Sequence, residues 1–443
     1  MSDSDKPVAD RLAALLDALG LKQAHFLGCM SGDWGALALE RPDLFCSLTV
    51  VAPHLNKGTP AGLEAFDVPT QVIAGDIGTP AARARGLAER FGDAAFVSLG
   101  SYESPAWADT IADRTDDVER AVRGLMARAE AGGREPSVCN ASGDGAVDDI
   151  LYRIHGAGPA VVVLPLSMAR TQWDPLVERL VRDHAVIVLG GPRLGIVSLL
   201  EGRADAGYGD LVMEMLGRAG VGPGDDVLEV GCGSGALSRA LARRTGGEVR
   251  ITGVELNPYL LSEARAHVAR DGLEEAVRFE EGNAEALPYE DDWFDVAFCA
   301  TVAEECDAEK MIAGMARVVR PGGRIVVLSR VLDMDWWVGL PLDRDLRRKL
   351  EAFAPSTGSG VGPGGCADAR LYELIVEAGL TPVFAGPQFA IYGESERLDD
   401  VFERLFTGVT AAERKLCEAA VADARAAGTL MVGEPFHCAV ATV

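Results

Sequence analysis

Three glycines spaced two apart, with an acid just before them and another twenty residues beyond, are the residues of this chain best placed to do chemistry. They stand in the run Val-Leu-Glu-Val-Gly-Cys-Gly-Ser-Gly at 227–235, so Glu229 precedes Gly231, Gly233 and Gly235, and Glu255 closes the apolar run 249–255. Glycine adopts positive φ readily and has no Cβ to hold a ligand away, so such a turn can approach a bound molecule closely. A carboxylate at the end of the following strand can accept both hydroxyls of a ribose, as in dinucleotide-binding folds. A pyrophosphate loop would continue as G-x-G-x-x-G or end in Gly-Lys-Ser/Thr. Here Gly235 is followed by Ala236, Leu237 and Ser238. The pattern suits a nucleoside without a pyrophosphate.

Other residues could act on what such a turn holds. Glu304 and Glu305 follow the apolar run 295–298 and are candidate general bases; an acid at a helix N-terminus is the plainer account of Glu305. Trp336 and Trp337, adjacent in sequence, could wall an apolar or aromatic acceptor together with Tyr208, or could belong to the core. Cys299, Cys306 and Cys366 could hold a soft acceptor such as trivalent arsenic, or be ordinary small buried residues.

Positioning these groups needs a parallel sheet. The run 226–230 reads as a buried strand, and Ala236 opens a stretch with helical apolar spacing. Four further stretches recur in order: Gly-Val-Glu-Leu-Asn at 253–257, Glu-Gly-Asn-Ala-Glu-Ala-Leu-Pro at 281–288, Phe-Asp-Val-Ala-Phe at 294–298 and Val-Arg-Pro-Gly-Gly-Arg-Ile-Val-Val at 319–327. In this order and spacing the C-terminal part, roughly residues 205–443, resembles a class I S-adenosylmethionine-dependent methyltransferase.

That resemblance implies a Rossmann-like seven-stranded sheet, S-adenosyl-L-methionine as cofactor, and roles for matching positions. Gly231, Cys232, Gly233 and Gly235 would face the methionine part, and Glu229 its amino end. Glu255 would take the ribose hydroxyls, with Leu256, Asn257, Asn283 and Ala284 around the adenine. Cys299 would border the transferred methyl. The family more often has Asp at position 283, but Asn offers a carbonyl oxygen to the same amino group.

The front of the chain has a second α/β rhythm. Residues 1–105 resemble the C-terminal half of an α/β-hydrolase, and 147–204 its N-terminal half, so the halves are permuted around a helical linker at 106–146. The elbow motif G-x-S-x-G has Met30 at its centre, with Ser31 one residue late. Asp76 lies near the position of the family's acid, but no histidine falls between His54 and His155, so the base of a triad is missing. Hydrolysis is excluded, and the halves either pair into one inactive sheet that offers a scaffold, a homodimer surface or a lid, or are two unrelated remnants that pack separately. The segment 131–136, with its glycine pair, reads as a flexible joint.

Composition bounds the partners. With 443 residues and a net charge of −25, the chain is long enough for several cores and ill suited to neutralising a phosphate backbone. Nucleic acid is therefore excluded in favour of a small-molecule methyl acceptor. There is no basic start followed by an apolar core, and no uncharged apolar run of membrane-spanning length. Nine cysteines with no C-x-x-C pair suit reduced thiols, hence a cytoplasmic protein with no metal; the Ala, Gly and Arg content suggests a high-GC bacterium. The sequence reads as an α/β enzyme that methylates a small acceptor. The alternatives are a cofactor-binding regulator that transfers no methyl group and, behind it, an arsenite methyltransferase.

Overall fold

The computed structural model describes the chain except residues 1–6, 30–31, 53–61, 93, 104–109, 148–149, 167, 192–193, 206, 353–360, 394–397, 399–400 and 403–404. It divides into two compact units, Met1–Leu199 and Leu200–Val443.

In the N-terminal unit, β1 Ala24–Gly28, β2 Phe45–Val51, β3 Thr70–Gly75 and β4 Ala95–Leu99 precede β5 Val138–Cys139, β6 Gly143–Val147, β7 Ile150–His155, β8 Gly158–Val163 and β9 Ala185–Gly190. They form one sheet ordered β4-β3-β2-β1-β8-β9-β7-β6, with β5 paired to β8. The segments on either side of residues 106–146 thus share a single sheet, joined where β1 runs parallel to β8 with His25 opposite Val161. Its central strands are apolar almost throughout, because a parallel sheet is covered on both faces; β2 and β9 are buried along their whole length.

One of those covers is the helix Thr115–Ala131, which buries Val118, Val122, Leu125, Met126 and Ala129 on one stripe and packs on β2 and β3. The expected linker is therefore a structural layer of the unit. Nor is the segment 131–136 a loose joint. Arg134 donates to Phe45 O at 3.2 Å and to Asp67 O at 2.7 Å, and the next residue but two, Ser137, donates its N–H to Gln23 O at 2.8 Å.

Of the hydrolase-type positions, Met30 and Ser31 lie outside the described residues. Asp76 accepts the Tyr102 N–H at 3.2 Å, a turn contact. A Ser–His–acid relay does exist elsewhere: His25 Nδ1 lies 2.8 Å from Ser47 Oγ and its Nε2 lies 3.2 Å from Glu130 Oε1. Ser47 is 1% exposed in mid-strand, so no ester could reach it; the relay satisfies buried polar atoms.

Burial holds His25 below its ordinary value of 6.5, against the opposing pull of Glu130. The unfolded chain therefore binds the proton first, and stability is lost as pH falls from 6.5 toward the lower folded value. Amide protection factors in β1 and β2, corrected for the intrinsic pH dependence of exchange, are expected to fall between pH 7 and 5.5, and His25→Gln to flatten that dependence. Equal slopes in the two proteins would remove His25 from the account.

The C-terminal unit contains β10 Asp226–Val230, β11 Arg250–Glu255, β12 Val277–Glu281, β13 Phe294–Ala300, β14 Val319–Arg330, β15 Trp337–Val338, β16 Thr381–Tyr392 and β17 Val432–Thr442. The order is β12-β11-β10-β13-β14-β17-β15, with β16 also on β17. β10 to β14 are parallel and β17 runs antiparallel to β14. One face packs Leu211, Val212 and Met215 of the helix Gly207–Ala219; the other packs Met311, Ile312 and Met315 of Ala308–Val318. From β10 the chain winds outward through β11 and β12, then returns to β10's other side as β13. That reversal opens a crevice at the carboxyl ends of β10 and β13, where open α/β sheets bind ligands.

Candidate functional site

The glycine turn stands at that crevice. β10 ends at Val230, and the N–H groups of Gly231 and Cys232 both donate to Val254 O, at 2.8 and 3.0 Å, tying the turn to β11. Gly235 has φ +73° and would place a Cβ 2.3 Å from the Phe279 ring. Gly231, at φ +72°, would place one 2.5 Å from Val302. Packing and backbone conformation thus both require glycine. Directly after Gly235 the helix Ala236–Arg244 begins, so its free N–H groups face the crevice end of the sheet.

Glu255 closes β11 and reaches back to the turn. Its Oε2 accepts the Gly233 N–H at 2.8 Å and its Oε1 accepts the Asn257 N–H at 2.9 Å. A carboxylate has about four lone-pair sites, so each oxygen can still accept one hydroxyl. Leu256, 62% exposed, follows it and offers apolar surface beside the carboxylate. Asn257 caps the helix Pro258–Asp271, its Oδ1 accepting Tyr259 N and Leu260 N. Asn283 is exposed and its Oδ1 accepts the Glu285 N–H at 2.9 Å; Ala284 next to it is half-buried.

Glu229 is 2% exposed and accepts the Ser238 hydroxyl. Burial raises its carboxyl to about 8, outweighing the Ser238 hydrogen bonds that favour the ionised form. A cationic group brought beside it would ionise it again.

The remaining sequence candidates fall elsewhere than expected. Glu304 is 2% exposed and pairs with Arg330, whose Nε lies 2.5 Å from Glu304 Oε1; Arg330 also bridges to Glu305. Ser329 Oγ donates to Cys366 O at 2.6 Å. The two acids therefore tie the loop after β13 to the end of β14, and neither is a free base. Cys299 is fully buried among Ala303, Met311 and Ile312, which leaves its thiol no access to a ligand. Cys306 Sγ lies 3.4 Å from Val302 O, and Cys366 Sγ 3.7 Å from Asp368 O. Among the described residues no group of three His, Cys, Asp or Glu side chains could hold a metal ion. Trp336 is a core residue at 8% exposure, whereas Trp337 is 43% exposed on β15.

Tyr208, expected at the substrate, does reach the crevice. It is buried, its hydroxyl lies 3.3 Å from Thr301 Oγ1, and burial raises its phenol to about 12, so it stays protonated. Thr301, just past β13, has φ +61°, a conformation that costs energy in a β-branched residue and concentrates at functional sites.

Sequence reasoning missed one cluster entirely. Glu201 accepts the Ser234 hydroxyl at 2.7 Å and pairs with Arg239, which also pairs with Asp271 at 2.7 Å; His267 Nδ1 lies 3.4 Å from Glu201. These charges fasten the glycine turn to three helices. Arg239's two partners lie 32 and 38 residues from it along the chain, and no local pattern announces them.

Residues 227–323 match the model of a family described as a methyltransferase domain. The ubiquinone/menaquinone biosynthesis C-methyltransferase UbiE of Marinomonas sp. is 37% identical over 118 residues, 26% of this chain and 46% of that protein. The methyltransferase GfsG of Streptomyces halstedii is 40% identical over 107 residues, 24% of this chain and 38% of that one. The chain spans about half the length of the curated relatives it matches. Geranyl diphosphate methyltransferase, solved in complex with SAM, is 17% identical with a TM-score of 0.34, over 53% of this chain and 84% of that one.

Proposed function

We propose that the C-terminal unit, whose residues 227–323 match a methyltransferase domain, is a class I methyltransferase that uses S-adenosylmethionine to methylate a small-molecule acceptor. The observation that carries the reading is Glu255, which accepts the Gly233 N–H at 2.8 Å and so presents its spare lone pairs at the mouth of the glycine turn. The names of the relatives, one a C-methyltransferase of quinone biosynthesis, support a small acceptor. Among the described residues no helix is long and apolar enough to cross a membrane.

Held there, S-adenosylmethionine would supply an electrophilic methyl group for an acceptor lone pair, with the thioether as leaving group. Glu255 holds the ribose hydroxyls. Leu256, Ala284 and Asn283 border the base, Asn283 through the lone pair its turn leaves free. Glu229 would pair with the amino group as a carboxylate, its proton released to solvent. The turn 231–235 holds the methionine part. Such a displacement gains mostly from positioning. Glu304 and Glu305, tied to Arg330, serve the rigidity of the crevice rim rather than proton transfer.

The N-terminal sheet, in this reading, is an inactive hydrolase-like scaffold. The order β6-β7-β9-β8 continuing into β1-β2-β3-β4 supports a permuted pair of halves, and the seclusion of Ser47 supports the lack of chemistry.

The test is calorimetric binding of S-adenosylmethionine, combined with S-adenosylhomocysteine release over a panel of phenols, carboxylates, amines and thiols. Binding in the range of about 1 μM to 1 mM with release on some acceptor is expected. Absence of binding would sink the proposal; binding with no release across the panel would turn it toward a cofactor-binding regulator.

A further inference from the structure

One edge of a buried guanidinium, that of Arg203, has no acceptor among the described residues. Arg203 belongs to the helix Gly195–Ala204, in the turn that carries Glu201. Its Nε and Nη2 are both shut off from solvent, and neither has a hydrogen-bond partner among the described residues. Its guanidinium lies over the Tyr208 ring, 4.1 Å from the centroid. That stacking fixes the plane of the guanidinium and satisfies none of its N–H groups.

Two acids are close enough to act on its charge, Glu434 on β17 and Glu304 after β13, along with Tyr392. Both are engaged elsewhere. Glu304 pairs with Arg330, and Glu434 accepts the Tyr392 hydroxyl at 2.7 Å. An arginine cannot shed its charge, and its N–H groups keep needing acceptors. Buried donors left without acceptors are rare and call for an explanation, an absent ligand being one.

Which atoms are unpaired narrows the ligand. Nε and Nη2 form one edge of the guanidinium fork, the edge that grips both oxygens of a carboxylate with two parallel hydrogen bonds. We propose that the Nε–Nη2 edge of Arg203, backed by the Tyr208 ring, is a carboxylate-binding site of the methyltransferase crevice. This inference rests on the methyltransferase reading. A carboxylate could come from the acceptor or from the methionine end of the cofactor. The groups that act on Arg203 lie on the β13 loop, β16 and β17, and Glu255 is not among them, which favours the acceptor.

The experiment compares wild type with Arg203→Met and Arg203→Lys. One arm titrates each protein with S-adenosylhomocysteine and with 5′-methylthioadenosine, which lacks the carboxylate. The other titrates the S-adenosylhomocysteine-loaded protein with benzoate against benzamide and hexanoate against hexanamide. An acceptor site shows as a loss of at least about 30-fold in benzoate or hexanoate affinity in Arg203→Met, with amides and S-adenosylhomocysteine unmoved. A cofactor site shows as the same loss for S-adenosylhomocysteine alone, with 5′-methylthioadenosine unmoved. Arg203→Lys retains part of either, because a point charge cannot make the paired contact.

Melting supplies a separate readout. Removing unsatisfied buried donors leaves Arg203→Met melting at or above wild type, at an order of a few degrees. Unchanged affinity in both arms overturns the proposal. So does an equal loss for 5′-methylthioadenosine, or a melting point about 10 °C lower with binding intact, since each marks a structural arginine. Failure of wild type to bind S-adenosylhomocysteine and 5′-methylthioadenosine strikes the methyltransferase reading instead.

Discussion

Replacing Glu255 by alanine will lower the affinity for S-adenosylmethionine by about 100- to 1,000-fold. A carboxylate accepting two hydroxyls makes two charge-assisted hydrogen bonds, each about 1.5–3 kcal/mol, and about 3–4 kcal/mol is two to three powers of ten in the dissociation constant. The same carboxylate accepts Gly233 N at 2.8 Å and Asn257 N at 2.9 Å, so the substitution also frees the turn that the ligand must meet. Glu255→Gln is expected to fall between, because it keeps one acceptor oxygen and loses the charge. Calorimetric titration with S-adenosylhomocysteine reads all three proteins. A loss under about fivefold in Glu255→Ala would mean that the nucleoside does not sit on this carboxylate, and the proposed function would lose its main support.

The residues behind that prediction were legible because they are local. A strand, a glycine turn and an acid at the next strand end fall within thirty residues, and each declares itself through periodicity or backbone need: β10 is buried from Val227 to Val230, and Gly235 can carry no Cβ. The closing strands were harder. β16 runs from Thr381 to Tyr392 through Gly386 and Pro387, residues that weaken any strand pattern. It bonds to β17 alone, and an edge strand tolerates a proline whose missing N–H no neighbour needs. The acids after β13 misled for a different reason. Glu304 and Glu305 have the type and position of bases, but the residue that claims them, Arg330, comes 25 residues later on another strand. Whether a charge is free depends on its partner, and partners across a sheet leave no mark in sequence spacing. Trp336 and Trp337 divide similarly. Trp336, just before β15, enters the core, whereas Trp337, the first residue of β15, is exposed.

The same reasoning makes Arg239 the most sensitive residue for stability in the C-terminal unit. Arg239 is 2% exposed and bridges Glu201 and Asp271, whose side chains are 11% and 13% exposed. Arg239→Leu leaves both carboxylates facing low dielectric without their main partner, and breaking one side of a buried pair costs about 3–5 kcal/mol. For a unit of this size that lowers the melting temperature by about 10 °C. Acid behaviour identifies the mechanism. Burial alone would raise the Glu201 carboxyl, but the neighbouring His267 and the Arg239 charge outweigh it and hold it at about 2, against an ordinary 4.5. A carboxyl depressed in the folded state stabilises fully above pH 4.5 and progressively less as pH falls toward 2. Wild type should therefore lose stability in that window, and Arg239→Leu should lose less there, having lost part of the contribution already. Taking the difference between the two proteins cancels whatever His25 contributes at higher pH. Glu201→Gln combined with Arg239→Leu should recover part of the loss, because the buried charge at Glu201 is then gone and Asp271 keeps Arg243 and Arg270, and a double-mutant cycle gives the coupling. A melting temperature within about 2 °C of wild type would show that Glu201 and Asp271 find other partners. Ser234, one residue from Gly235, donates to Glu201 at 2.7 Å, so loosening this cluster should also weaken S-adenosylhomocysteine binding, by less than Glu255→Ala does.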